Sequence, residues 1–130
     1  MGKNKMNLNL ENKVALISGG SHGIGLRIKT SLEKEGVIVK SLSKTEGYDL
    51  MNEKDIDRAL KLFDENKYDI LVNNIGGIGR GLDTYKTYED CMFKNYLLTV
   101  KFTKEFLKNK NSSIYGRIIN IASIYGKESG

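Results

Sequence analysis

Val14-Ala15-Leu16-Ile17-Ser18-Gly19-Gly20-Ser21-His22-Gly23-Ile24-Gly25 is the stretch whose reading decides the fold. Val14 to Ile17 is an apolar run of strand length and composition. Beyond the glycines, Ile24, Ile28 and Leu32 recur at i, i+4 and i+8, the stripe expected of a helix. The segment therefore reads strand, glycine-rich turn, helix. A chain reversing sharply from strand to helix needs backbone angles that glycine adopts cheaply. Without a Cβ the backbone can also approach a pyrophosphate, whose charge meets the N–H groups and dipole of the helix N-terminus. The context favours dinucleotide binding, with a purely structural turn as the competing reading.

Outward from this turn, strands and helices alternate. The first strand is expected over Lys13–Ser18 and the first helix over Ile24–Glu35, stopped by Gly36. Val37–Leu42 is a second, β-rich strand. Only Ser43–Gly47 separate it from Tyr48-Asp49-Leu50. A parallel crossover needs about a dozen residues, so a third strand is shortened or lost here. Asn52 is a candidate helix cap before Ile56, Ala59, Leu60 and Phe63 at helical spacing. Asp69–Asn74 reads as an inner parallel strand, apolar on both faces, followed by the glycine-rich loop Gly76–Gly81. A long helix is expected over Tyr88–Lys108 with Phe93, Tyr96, Leu97, Val100, Phe106 and Leu107 as its apolar stripe, and a last strand over Arg117–Ala122. This is an α/β pattern, a three-layer doubly wound parallel sheet of Rossmann type. Ligands in such sheets sit outside the carboxyl ends of the strands. The glycine turn, Asn73-Asn74-Ile75-Gly76 and Ser123 all fall there.

The totals narrow the function classes. The chain has 130 residues, enough for one domain, and no apolar run of membrane-spanning length, about 18 residues. Met1–Asn12 is polar, unlike a secretory signal, and reads as a flexible leader before one domain over 13–130. A single cysteine, Cys91, excludes an intramolecular disulfide and a multi-cysteine metal cluster and agrees with a cytoplasmic protein. No metal site is expected. The net charge is +5, but the lysines are scattered, from Lys3 and Lys29 to Lys104 and Lys110, without a compact basic block. Solvated helix faces account for them better than a nucleic-acid surface does.

Taken together, the motifs resemble those of the short-chain dehydrogenase/reductase family, in its order and over nearly the whole chain. Ser18-Gly19-Gly20-Ser21-His22-Gly23-Ile24-Gly25 is similar to the family's Thr-Gly-x-x-x-Gly-x-Gly cofactor turn. Asp49-Leu50 matches the pair that contacts adenine, and Asn73-Asn74-Ile75-Gly76 resembles Asn-Asn-Ala-Gly. The resemblance implies cofactor contacts at Gly19, Ser21, His22, Gly23, Ile24, Gly25, Asp49, Leu50, Asn74, Ile75 and Gly76, and catalytic roles for Asn95 and Ser123. It implies hydride transfer between NAD(P) and a small carbonyl or alcohol substrate, with no nucleic acid or membrane partner. Cofactor choice rests on Ser43 and Lys44, which end the second strand; nothing acidic adjoins them, Glu46 lying further into the loop. That favours NADP over NAD.

One family element is missing. No Tyr-x-x-x-Lys occurs between Ser123 and Gly130. The expectation is an incomplete fold: the family's first, second, fourth and fifth strands with a vestige of the third, forming the N-terminal part of a parent that pairs as a homodimer or homotetramer. The alternative function is a dinucleotide-binding module without chemistry. The last strand, normally interior, is expected to lie at an exposed edge and promote self-association.

Overall fold

The structure, a computed structural model, describes residues 8–76, 85–111 and 115–121. Its centre is a parallel sheet of β1 (Val14–Ser18), β2 (Ile38–Leu42), β3 (Ile70–Asn73) and β4 (Arg117–Asn120), in the order β2-β1-β3-β4. Register places Ala15 beside both Val39 and Ile70, and Val72 beside Ile119. The inner strands are apolar on both faces because both are covered. Leu16 and Leu71 belong to one core, Ala15, Ile17, Ile70 and Val72 to the other.

Helix α1 (Gly23–Lys34) covers the second of these faces with Ile28 and Leu32, ending at Gly36, whose φ is +86°. Ile24 departs from the expected stripe: it is 62 % exposed. It sits in the first helical turn, beyond the end of the sheet. On the other face lies α2 (Glu53–Glu65), capped as expected by Asn52, whose side chain accepts from the amides of Lys54 and Asp55. Its Ile56, Ala59 and Phe63 are buried. Tyr48-Asp49-Leu50 forms no strand, so β2 leads through a short 3₁₀ turn to α2 with no strand between them, as the five-residue connection requires.

The long helix runs from Tyr85 to Asn109 as α3 (Tyr85–Met92), a π turn (Phe93–Leu97) and α4 (Leu98–Asn109). Its core stripe differs from the expected one. Leu98, Phe102 and Phe106 are buried and Phe93 packs against them, whereas Tyr96, Leu97 and Leu107 are exposed. The cause is the π turn, which adds one residue to a helical turn. Phe93 and Leu98, five apart, then share a face that a uniform 3.6-residue period would assign to Phe93, Leu97 and Val100.

Leu10 packs against the α1-side core, and the Asn12 amide donates to the Gly36 carbonyl at 2.9 Å. Residues 1–7 lie outside the described residues.

Candidate functional site

The carboxyl ends of β1, β2 and β3 open into one cleft of about 380 Å³. Gly19, Ser21 and His22 of the glycine turn form one wall, and Leu42, Ser43, Lys44 and Thr45 at the end of β2 form the next. Tyr48, Asp49, Leu50 and Met51 line a third side. Ile75 and Gly76, after β3, and Lys94 complete it.

The turn is built by close approach. Gly19 has φ +77° and its amide donates to the Leu42 carbonyl at 2.7 Å. Gly25 is buried where a Cβ would overlap the Gly19 carbonyl oxygen and crowd the Asn74 amide nitrogen. Asn74 Nδ2 itself donates to that carbonyl at 2.9 Å. Gly23, Gly25, Ile24 and Asn74 thus lie outside the cleft lining, and Gly25 and Asn74 shape the turn from behind. Ser18 joins the two loops: its Oγ accepts from the amides of Asn74 at 3.0 Å and Ile75 at 3.1 Å. Helix α1 starts at the cleft with no acidic residue in its first turn and no side-chain cap from His22, whose Nδ1 instead lies 3.0 Å from Ser21 Oγ. The positive end of the helix dipole is left to act on whatever occupies the turn.

At the end of β2 the structure corrects one expectation. Glu46 is not remote: Ser43 Oγ donates to its Oε1 at 2.7 Å, and Lys29 Nζ stands 4.0 Å from Oε2. The three-residue 3₁₀ turn Lys44–Glu46 folds the carboxylate back onto the strand end.

Asn95 lies on the π turn, where its Nδ2 donates to the Cys91 carbonyl at 2.9 Å. Its Oδ1 is 2.6 Å from the point where a Cβ on Gly76 would stand, so a side chain at position 76 would require the Asn95 amide to shift. Asn73 ties the sheet together, donating to Asn120 Oδ1 at 2.8 Å and to Thr103 Oγ1 at 3.3 Å. Ser123 lies outside the described residues. Among the described residues no group of three metal-ligating side chains converges, and no helix is long and apolar enough to cross a membrane.

Sequence reasoning missed Leu42, Thr45, Tyr48, Met51 and Lys94. Tyr48 and Met51 adjoin the Asp49-Leu50 pair, so proximity was a usable signal. Lys94 had none beyond its place beside Asn95, because the π turn that presents it is not written in the period.

The short chain dehydrogenase profile matches residues 46–130. The chain belongs to the short-chain dehydrogenase/reductase family. It is 29 % identical to a 3-oxoacyl-(acyl-carrier-protein) reductase of Buchnera aphidicola subsp. Schizaphis graminum over 92 % of this chain and 58 % of that protein. With an uncharacterised oxidoreductase of Bacillus subtilis the identity is 30 %, over 91 % and 53 %. The chain thus spans between half and three fifths of these relatives' lengths. A Serratia marcescens short-chain dehydrogenase/reductase superposes with TM-score 0.75 at 26 % identity, covering 92 % of this chain and 61 % of that one. The fold is shared as well with an NADH-dependent reductase solved with NAD, at TM-score 0.79 and 24 % identity, over 94 % of this chain and 64 % of the other.

Proposed function

We propose that the cleft holds NADP or NAD, and that the chain is part of an oxidoreductase acting on a carbonyl or alcohol carbon of a small molecule. The observation that carries this is convergence. The glycine turn, the stretch from the end of β2 through Asp49-Leu50, and Ile75-Gly76 are separate in sequence, yet all line one cleft at the carboxyl ends of the strands. The residues fit the cofactor: a glycine turn with no room for a Cβ at Gly25, beneath an uncapped helix N-terminus, suits a pyrophosphate. Bound there, the nicotinamide would supply or accept a hydride.

The chain's own groups would do the rest. Ser21, His22 and the first amides of α1 would hold phosphate oxygens, Ser43 and Lys44 the adenosine ribose, and Asp49 and Leu50 the adenine. Ile75 and Gly76 would leave the backbone open along the middle of the ligand. Ser123 would hydrogen-bond the substrate oxygen and fix it for reaction, and Asn95 would hold a water of the proton path. The family's tyrosine and lysine pair has no match after Ser123 in these 130 residues. We therefore read the chain as binding cofactor with little or no turnover of its own, within a homodimeric or homotetrameric parent.

Lys44 in the cleft wall favours a 2′-phosphate and hence NADP. A second reading, NAD, is favoured by Glu46, whose carboxylate holds the Ser43 hydroxyl. Fluorescence titration with NADPH and NADH decides between them. On the first reading NADPH binds more tightly, and Lys44→Ala weakens it by about tenfold while sparing NADH. Tighter NADH would establish the second, and binding of neither would end the proposal. A steady-state assay for cofactor oxidation with carbonyl substrates tests the low-turnover reading; robust turnover by the purified chain would overturn both it and the module reading.

A further inference from the structure

The wall formed by Tyr48 to Met51 has no ladder to hold it, since the segment pairs with no strand among the described residues. Two side chains of α2, one helical turn apart, grip it from behind. Arg58 Nη1 donates to the Gly47 carbonyl at 3.0 Å, and its guanidinium carbon lies 4.5 Å from the centre of the Tyr48 ring. Asp55 Oδ2 accepts from the Asp49 amide at 2.9 Å, while its Oδ1 accepts from Arg58 Nη1 at 2.7 Å. Three consecutive residues, 47, 48 and 49, are thus held by a carbonyl, a ring and an amide contact. The pair is itself joined by an ion pair that fixes both partners. Charge-assisted bonds of this kind are short and directional, and Arg on an aromatic face adds a cation–π term.

We infer that Asp55 and Arg58 are positioning residues for the adenine end of the site, a side-chain clasp that replaces the missing strand; the inference rests on the nucleotide reading above. Neither residue lines the cleft, so neither acts on ligand directly. Their effect passes through Tyr48 and Asp49, which do. A wall held only by its own turn would sample many conformations, and ordering it would be charged against binding.

ADP is the probe, since it carries the adenine half alone. Calorimetric titration is expected to show ADP weakened by about tenfold in Asp55→Ala and in Arg58→Met, whereas Arg58→Lys, which keeps a donor and a cation over the ring, retains affinity within about twofold. Amide hydrogen exchange supplies a readout that needs no ligand. The Asp49 amide exchanges faster in Asp55→Ala and Arg58→Met, while the β1 amides of Ala15 to Ile17 keep wild-type protection. Wild-type chain that binds ADP, with both variants binding it equally, would overturn the clasp and leave the nucleotide site standing. Loss of ADP affinity together with loss of β1 protection would mean general destabilisation and would also overturn it. Wild-type chain that binds no ADP would remove the nucleotide reading, and the clasp's role with it.

Discussion

Gly25 is the residue on which the turn depends most. Any Cβ there meets the Gly19 carbonyl, which is backbone and cannot rotate away. Gly25→Ala is expected to destabilise the chain by about 1–3 kcal/mol, the usual cost of overpacking, and to weaken nucleotide binding by moving Gly19. Urea unfolding combined with ADP titration checks both. Tyr68 shows the same dependence on surroundings through its charge. Burial, with Tyr48 and Glu65 adding, pushes its hydroxyl from 10.0 up to about 12. The neutral form is therefore favoured in the fold, and the unfolded chain ionises first. Stability from this group is intact below about pH 10 and declines as pH rises toward about 12. The urea midpoint should follow that course in wild type, with Tyr68→Phe showing a shallower fall; identical alkaline profiles would contradict it. Several residue-level features were legible beforehand because they are local. Asn52 caps α2 through amides two and three residues on. Glu46 was misjudged because its bond to Ser43 depends on how the Lys44–Glu46 turn folds back.

Among the elements, the long helix separates what periodicity can predict from what it cannot. Existence and extent were readable from composition and spacing. The buried face was not, because a π turn at Phe93–Leu97 shifts the phase of everything after it. Phe102 is 1 % exposed and stands 6.1 Å, centre to centre, from the Phe63 ring across the α2–α4 contact. Phe102→Ala is expected to cost about 3–5 kcal/mol by transfer and cavity terms. Leu107, 55 % exposed, should tolerate alanine within about 0.5 kcal/mol. Chemical unfolding of the two variants tests the phase directly: a uniform 3.6-residue helix would bring their costs much closer together. The same π turn carries Lys94 and Asn95, so the irregularity that hid the stripe also sets two residues at the edge of the cleft.

At the scale of the molecule, the sheet among the described residues ends on β2 at one edge and β4 at the other. Among the described residues β4 pairs only with β3, and Ile119 and Ile121 are 42 % and 38 % exposed. An apolar strand with unpaired N–H and C=O groups is a template for another strand. Purified 130-residue chain is expected to self-associate with rising concentration, and Ile119→Lys to reduce this more than it changes ADP affinity. Sedimentation velocity gives the answer, and a wild-type chain that stays monomeric at all concentrations would refute it. Sequence alone determined the strand–turn–helix, the alternation that makes a parallel sheet, and that a third strand is shortened or lost. Each follows from local sterics, side-chain period or connection length, which neighbours in the chain impose on one another. Only the tertiary structure decided which face of α4 is buried, where Glu46 turns, how Asp55 and Arg58 clasp the cleft wall and that Lys94 reaches it. Those depend on groups brought together from distant parts of the chain, whose packing no local rule encodes.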